Sequence, residues 1–182
     1  MPELVVPVVG VHESFLAAMA EFAQEGRGLL GDDSMVGREI RDHRLEWQRP
    51  EVFAAYVAEV VAQSDPDSPR PEGWVPATTR WWVAGERYLG RIAIRHQLTP
   101  WLLEYGGHIG YDVRPSARRQ GHATAMLHAA LPVAAGLGIT SALVTCDHDN
   151  VGSRKVIEAC GGRLEDRRGQ KLRYWLTTGP DA

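Results

Sequence analysis

The chain has 182 residues, enough for one domain of ordinary size with its own hydrophobic core. Hydrophobic residues make up 44% and charged residues 24%, the balance of a soluble globular protein, and no apolar run approaches the ~18 residues of a membrane span. The net charge is −3, and even the more basic part, residues 101–182 with 10 basic and 8 acidic side chains, has too small a positive bias for the concentrated basic face that is typical of nucleic-acid-binding proteins.

Hydrophobic periodicity and turn residues divide the first half of the chain into predicted strands, helices and loops. An apolar run at residues 4–9, interrupted by a proline, predicts a short edge strand. Apolar residues recur at helical spacing in 13–24 and in 50–63, and the second of these segments has proline in its first turn, so both predict helices. Between them, 31–34 is a turn cluster, and the proline-rich segment 64–76 predicts a surface loop.

Strands and helices alternate in the second half. We predict strands over 78–84, 88–95, 108–113 and 139–146, helices over 124–136 and 150–160, and a final hairpin from 163–166 and 171–176. Pro132 lies inside a predicted helix and should kink it or end it early, because an interior proline costs about 3 kcal/mol. The predicted order is β-α-α-β-β-β-α-β-α-β-β.

The segment between strand 108–113 and helix 124–136 has the features of an anion site. Proline ends the strand at residue 115, and the helix that follows has unpaired amides and a positive dipole at its first turn. Gly121 allows the backbone to approach a bulky phosphate, and Arg118 and Arg119 add positive charge. The segment therefore predicts a pyrophosphate-binding loop, although a single glycine before a helix is common and the loop lacks both G-x-G-x-x-G and a P-loop Gly-Lys-Ser/Thr.

This loop resembles the acetyl-coenzyme A (acetyl-CoA) loop of the GNAT N-acetyltransferase superfamily. The superfamily pattern Arg/Gln-x-x-Gly-x-Gly/Ala is met by Arg118, Gly121 and Ala123, after a strand that ends in V-x-P at Val113. The chain is especially similar to a group of predicted bacterial acetyltransferases that share three motifs: GGHIGYxVRPS at 106–116, TCDxDNxGSRKVIE at 145–158 and RYW at 173–175.

The order of elements extends the resemblance over nearly the whole chain. It implies a single GNAT domain over residues 1–182, of the α/β (α+β) class. The implied architecture is a mixed central sheet of about seven strands flanked by about four helices.

In the superfamily, the strand before this loop and the strand after the next helix splay apart, and the pantetheine arm lies between them. The resemblance implies main-chain hydrogen bonds from Asp112 and Val113 to that arm, with the Val113 amide polarising the thioester carbonyl. Asn150 would also bond the arm, although an asparagine there is equally suited to capping a helix. The other implied cofactor contacts are Arg118, Arg119, Gln120, Gly121, His122, Ala123, Thr124 and Ser153.

The implied reaction is direct transfer of an acetyl group to a primary amine, which a general base assists. His108 is the first candidate base because the pKa of histidine is near neutrality; alternatively, it packs beneath the sheet and bonds to the backbone. Glu104 is the second candidate and His96 the third. Many superfamily members carry a tyrosine acid seven residues after the asparagine, where this chain has Ile157, so another group or water protonates the thiolate, or no acid is needed.

The acceptor pocket is the least determined part of the site. Asp32 and Asp33 would attract a cationic amine, as would the acidic excess of residues 1–100, which carry 10 basic and 15 acidic side chains. Tyr111 would line the pocket. Four tryptophans either line it or belong to the core: Trp74, Trp81, Trp82 and Trp101.

We therefore expect an acetyl-CoA-dependent N-acetyltransferase that acts on a small-molecule or peptide amine as a monomer or homodimer. The alternative is a non-catalytic acyl-CoA-binding or regulatory domain, for which Ile157 is the only sequence support. We expect no metal, nucleic-acid or membrane partner, since the seven histidines lack zinc-ligand spacing. The start of the chain lacks the features of a signal peptide, and Cys146 and Cys160 are read as free thiols, so a cytoplasmic location is expected.

Overall fold

The computed structural model describes residues 1–179; residues 180–182, the end of the predicted domain, lie outside the described part. Seven strands and five α-helices make up the fold. In chain order they are β1 (Glu3–Val5), α1 (His12–Gln24), α2 (Met35–His43), α3 (Pro50–Ala62), β2 (Ala77–Ala84), β3 (Arg87–Arg95), β4 (Ile109–Val113), α4 (His122–Gly136), β5 (Ser141–Asp147), α5 (Val151–Ala159), β6 (Arg163–Arg168) and β7 (Lys171–Thr177).

All seven strands belong to one sheet in the order β1-β2-β3-β4-β5-β7-β6. Every neighbouring pair is antiparallel except β4 and β5, which are parallel. Adjacent strand residues point to opposite faces, and the sheet accordingly has two hydrophobic cores. Trp82 packs with α4 on one face, whereas Trp81 packs with α1 and α3 on the other. The predicted fold class is confirmed.

Helix α2 is one helix more than the sequence predicted. Its sequence, MVGREIRDH, buries only Val36, Gly37 and Ile40, which is too short an apolar pattern to identify a helix by periodicity. Its start carries a local signal, because the Ser34 hydroxyl accepts the Gly37 N–H at 3.1 Å. Gly37 is required there, since a Cβ would lie 1.9 Å from the Asp32 carboxylate.

The expectation that Pro132 could end its helix early is wrong. Helix α4 continues through Pro132 to Gly136, and it begins two residues earlier than predicted, at His122. Leu131 and Ala134, on either side of the proline, are buried in the core against the sheet. Burial of this helix face offsets the hydrogen bond that proline cannot donate.

The other predicted elements differ from the structure at their ends. Strand β1 is shorter than expected and ends at Val5, before Pro7. Strand β4 begins at Ile109 instead of at residue 108. The connection before it contains a turn of π-helix at Leu102–Gly106. Among the described residues, no helix has the length and apolar character required to cross a membrane.

A carboxylate on α1 holds the chain at the point where it leaves β4. The buried Arg114 guanidinium donates to Glu21 from both Nε, at 3.1 Å, and Nη2. Glu21 also accepts the Ser116 N–H at 2.9 Å. Partial burial acts to raise the pKa of Glu21, but the hydrogen bonds from Arg114 and Ser116 outweigh it and lower the pKa overall. The interaction fixes the start of the loop relative to α1.

Replacing Glu21 by Gln should lower the free energy of unfolding at pH 7 by about 1–2 kcal/mol, because Arg114 stays buried without its counter-ion; partial exposure of Glu21 limits the loss. Urea denaturation measures the effect. Glu13→Gln, at an exposed position on the same helix, is the control and should change stability by less than about 0.5 kcal/mol.

The pH dependence of that difference follows from the lowered pKa. The carboxylate contributes fully above its unfolded pKa, and the contribution is lost as the pH falls through the lower folded pKa. The difference between wild type and Glu21→Gln should therefore shrink below about pH 4. A difference that stays constant to about pH 2 would contradict an ionic origin.

Candidate functional site

Strands β4 and β5 leave a gap in the centre of the sheet. Within residues 1–179 they pair only at Ile109 and Val144, next to the bond from the His108 N–H to the Leu143 carbonyl at 2.7 Å. Beyond this point β4 continues to Val113 against β3, while β5 continues to Asp147 against β7. We call the space between them the β4–β5 gap.

The register with β3 determines which backbone groups of β4 face this gap. The Arg95 N–H donates to the His108 carbonyl at 2.8 Å, and the Arg114 N–H donates to the Leu89 carbonyl at 2.9 Å. In an antiparallel ladder, residues that exchange hydrogen bonds alternate with residues that do not. The amides at 110 and 112 therefore point to β3, and those at 109, 111 and 113 point towards β5.

The direction of these amides bears on the two predicted pantetheine contacts, Asp112 and Val113. The Val113 N–H faces the gap, as expected, and the Val113 carbonyl is held by Arg118 Nε at 3.1 Å. Asp112 forms a ladder pair with Arg91, so its main chain is turned towards β3 and the register gives no support to its predicted contact. Tyr111, which the sequence analysis did not propose as a backbone donor, presents its N–H instead.

The loop between β4 and α4 presents a run of free amides. Within residues 1–179, no N–H from Arg119 to Thr124 donates to a protein acceptor, whereas the Ala125 N–H bonds the Gly121 carbonyl at 3.0 Å. Gly121 has φ 81°, and Arg119 has φ 61°, which is rare for a residue with a side chain. Left-handed residues that interrupt a helical start turn successive amides inwards, and such a concavity binds anions.

The side chains of this loop have different roles. Arg118 is engaged with α1, because its guanidinium donates to both carboxylate oxygens of Glu25 at 2.7 and 2.8 Å. The Gln120 amide donates to the Ser116 carbonyl at 3.2 Å, and His122 Nδ1 accepts the indole N–H of Trp82 at 3.3 Å. Arg119 is exposed. Arg118 therefore positions the loop, and Arg119 offers an exposed charge beside the amides.

The far side of the gap is formed by the start of α5. Asn150 Oδ1 accepts the Ser153 N–H at 3.0 Å, which is the capping role that the sequence analysis left open. The Ser153 hydroxyl lies 2.7 Å from the Tyr111 hydroxyl, which bridges β4 to α5. Tyr111 packs against the α4 core. Burial raises its pKa.

His108, the first candidate base, lies at the closed end of the gap and is only 9% exposed. Its Nδ1 accepts the Leu143 N–H at 2.9 Å, which places the proton of the neutral ring on Nε2. Burial and the charge of Arg95 lower the pKa of His108. These contacts favour the alternative in which His108 packs beneath the sheet and bonds to the backbone.

The other two candidate bases also have partners. Glu104, in the π-helical turn before β4, forms an ion pair with Arg168 of β6. His96 Nε2 lies 2.9 Å from the Thr78 hydroxyl, and burial, followed by the charge of Arg70, lowers its pKa. None of the three is an unpartnered base, so the geometry alone does not select one.

Of the other residues predicted to line the acceptor pocket, some are buried or hydrogen-bonded elsewhere and others are exposed. Trp81 and Trp82 are buried in the core, whereas Trp74 and Trp101 are exposed. Asp32 accepts the Gly28 and Ser34 N–H groups, both at 3.0 Å, and these bonds lower its pKa although burial acts to raise it. Asp32 is therefore engaged with its own loop, whereas Asp33 is exposed.

The left-handed conformation of Arg119 generates a stability prediction. Arg119→Gly should raise the free energy of unfolding by about 1 kcal/mol, because glycine adopts this conformation without the cost imposed by a Cβ. Gly121→Ala should lower it by a similar amount, about 1 kcal/mol, through backbone strain alone, since a Cβ at 121 meets nothing within 4 Å. Urea denaturation measures both, with Arg119→Ala as the control that keeps the strain. A gain in Arg119→Ala equal to that in Arg119→Gly would contradict the prediction.

Comparison with known proteins identifies the family and the fold of the chain. Residues 32–163 match the family model of the acetyltransferase (GNAT) domain, which is more than half of the chain. A search of curated protein sequences found no match.

Three solved structures illustrate the likeness in fold. PaiA N-acetyltransferase from Thermoplasma acidophilum, in complex with coenzyme A, has a TM-score of 0.60 at 12% identity, over 97% of this chain and 99% of that chain. RimJ from Mycobacterium smegmatis, in complex with CoA-disulfide, has a TM-score of 0.65 at 15% identity, over 97% and 81%. Ribosomal-protein-S5-alanine acetyltransferase from Vibrio fischeri has a TM-score of 0.66 at 10% identity, over 98% and 94%. The family match and the shared fold lead to one conclusion: the chain belongs to the GNAT family of acetyltransferases.

Proposed function

We propose that the chain transfers an acetyl group from acetyl-CoA to a primary amine, directly, with both substrates bound together in one domain spanning residues 1–182. The observation that carries the proposal is the continuity between the β4–β5 gap and the six free amides of Arg119–Thr124. A strand-like gap suits an extended arm with amide groups, and a cluster of amides at a helix start suits a diphosphate.

The donor would bind along these backbone groups. The Val113 and Tyr111 amides would hydrogen-bond the pantetheine arm in place of a neighbouring strand. The amides from Arg119 to Thr124 would hold the diphosphate, with the Arg119 side chain adding charge at the rim. The Asn150 side-chain amide and the Ser153 hydroxyl lie across the gap as further contacts.

The chemistry requires a neutral amine and a polarised carbonyl. The amine nitrogen attacks the thioester carbon, the C–S bond breaks, and the sulfur leaves as a thiolate that takes up a proton. A backbone amide aimed at the carbonyl oxygen, the role proposed for Val113, supplies about 2.7–4 kcal/mol where such donors have been measured. Among the three candidate bases, Glu104 is proposed ahead of His108, whose Nδ1 lone pair already accepts a backbone N–H.

No tyrosine stands at the position from which many superfamily members protonate the thiolate. Ile157 is fully buried in the core, so that turn of α5 offers no hydroxyl. Burial raises the pKa of both Cys146 and Cys160, and neither is proposed as an acid. Water or direct release of the thiolate completes the step. The buried Ile157 is also the one observation that favours the alternative function, a non-catalytic acyl-CoA-binding or regulatory domain.

The amine acceptor is proposed to be a small molecule or the N-terminus of a peptide. The Vibrio fischeri structure is named as an acetyltransferase of a ribosomal-protein alanine, and its fold covers nearly all of this chain. The acceptor would enter beside the β4–β5 gap on the sheet face opposite α4, because α4 lies over β4 on its own face, whereas α1 and α3 lie over β3 and β2 on the other.

Incubation of the protein with acetyl-CoA and a broad panel of primary amines should release free thiol in proportion to acetylated amine. Thiol detection and mass spectrometry of the amines measure the two products. Tight binding of acetyl-CoA with no product from any amine would contradict catalysis and favour the binding-domain alternative.

Gly121→Glu should weaken acetyl-CoA binding by at least about 100-fold, because it places a carboxylate where the diphosphate is proposed to lie. Gly138→Glu is the matched control: Gly138 has φ 80° and open space around its Cβ position, like Gly121 with φ 81°, but follows the other end of α4. Calorimetric titration should show unchanged affinity for the control. Equal affinity in both variants would refute the placement of the diphosphate.

A further inference from the structure

The Asp112 carboxylate lies on the sheet face opposite α4. The side chains of Ile109, Tyr111 and Val113 pack into or against the core that contains α4, and adjacent residues of a strand point to opposite faces. Asp112 directly precedes Val113, whose amide is proposed to polarise the thioester carbonyl. The carboxylate is therefore beside the proposed reaction centre, on the face from which the acceptor is proposed to enter.

The arginine next to Asp112 on the neighbouring strand has its own counter-ion. Arg91 forms the ladder pair with Asp112, but its Nη1 donates to Glu39 of α2. The Tyr56 hydroxyl donates to the same Glu39 oxygen at 2.7 Å. Because Glu39 balances the charge of Arg91, the Asp112 carboxylate takes its counter-ion from elsewhere.

That counter-ion is the Arg27 guanidinium, from the connection between α1 and α2. Arg27 Nη2 lies 3.4 Å from Asp112 Oδ1, and this is the one hydrogen bond that the carboxylate accepts within residues 1–179. The distance exceeds the usual range of an N–H···O hydrogen bond, and the Arg27 side chain is 32% exposed. Its other carboxylate contact, with Asp32, is longer still at 3.8 Å. The pair is therefore weak, and Asp112 retains lone pairs for other donors.

Only the side chain of Arg27 has to move for another cation to reach Asp112. The Arg27 N–H donates to the Phe22 carbonyl at 3.1 Å, which ties the backbone to the end of α1. Gly26 and Gly28 both have φ 87°, so glycines set the turn around Arg27. The Asp112 side chain is only 13% exposed, and a carboxylate so far removed from water is costly without a counter-ion. Departure of Arg27 therefore favours a replacing cation.

We propose that Asp112 binds the reacting amine of the acceptor as its ammonium cation, which replaces the Arg27 guanidinium. The inference rests on the proposed function and names the residue that selects and places the acceptor. Both cations donate charge-assisted hydrogen bonds to a carboxylate, so the ion pair marks the position that the substrate takes. One ammonium proton goes to the general base, a second N–H stays on Asp112, and the freed lone pair attacks the thioester carbon.

The substrate class follows from the charge of this site. Primary alkylamines and peptide N-termini are largely protonated at pH 7 and fit an anionic site, whereas arylamines are neutral and do not. The proposal moves to Asp112 the amine-attracting role expected of Asp32 and Asp33. Asp32 accepts backbone N–H groups of its own loop, and Asp33 is exposed.

Steady-state kinetics with butylamine, 2-phenylethylamine and alaninamide as acceptors test the inference. Asp112→Asn should raise KM for the amine by about 10-fold or more, the size expected of a charge-assisted hydrogen bond. Arg27→Gln should lower KM, by up to about 5-fold, because the amine no longer competes with a partly exposed ion pair. An ion pair with a structural role alone predicts no such opposite effects on KM from its two members.

Three further variants serve as controls. Arg27→Lys keeps a cation beside Asp112 and should retain the wild-type KM, and Arg44→Gln, which removes a positive charge at an exposed position after α2, should do the same. In the Asp112→Asn background, Arg27→Gln should give no gain, since both residues act through one contact. An unchanged KM in Asp112→Asn, no decrease in Arg27→Gln, or a decrease that persists in the double variant would overturn the inference and leave the acetyltransferase proposal intact.

A binding measurement separates the inference from catalysis. Calorimetric titration of the three amines into the CoA-loaded protein should show binding that Asp112→Asn weakens and Arg27→Gln strengthens. 1-Butanol, which resembles butylamine in shape but has no charge, should not bind. Asp112-dependent binding without acetylation would support the inference and count against the proposed function. Equal binding of butylamine and 1-butanol, or no binding of any of the three amines, would overturn the inference.

Discussion

The free backbone amides at the centre of the sheet are the feature on which the rest of the site depends. In the described part of the chain, β4 and β5 share a single residue pair, so the gap-facing amides of Tyr111 and Val113 have no strand partner there. Unpaired amides are costly in a protein interior, and a fold that retains them at one place has a use for them. Six more free amides at Arg119–Thr124 continue the same surface into the loop.

Helix α1 holds this surface in position through two carboxylates one turn apart. Glu21 binds Arg114 and the Ser116 amide, and Glu25 binds Arg118. Arg118 also reaches the Val113 carbonyl, so this arginine acts on the end of β4 as well as on the loop itself. The left-handed Arg119 is maintained between these anchors, and its strain coincides with the proposed diphosphate site.

The two sides of the gap are built from different kinds of chemistry. On the donor side, backbone amides and hydroxyls are proposed to bind the pantetheine arm, whose form is constant. On the proposed acceptor side, Arg95 of β3 lies over Gly110, and the Glu39 and Asp112 carboxylates are paired with other arginines. Fixed backbone groups suit a common cofactor, whereas side chains from the early helices can set which amine is accepted.

Sequence by itself determined the order of strands and helices, the loop that begins α4 and the motifs of the family, because these depend on local periodicity, turn residues and helix-start chemistry. It did not identify α2, whose buried face has only three residues, or the uninterrupted course of α4 through Pro132, because tertiary burial outweighed local propensity in both. Tertiary structure alone decided that Asp112 turns its backbone to β3, that His108 Nδ1 accepts a backbone N–H, and that Arg95 lies over Gly110. The reason is physical: strand register and ion pairing join residues far apart in the chain, and no local pattern specifies which distant partner each group will meet.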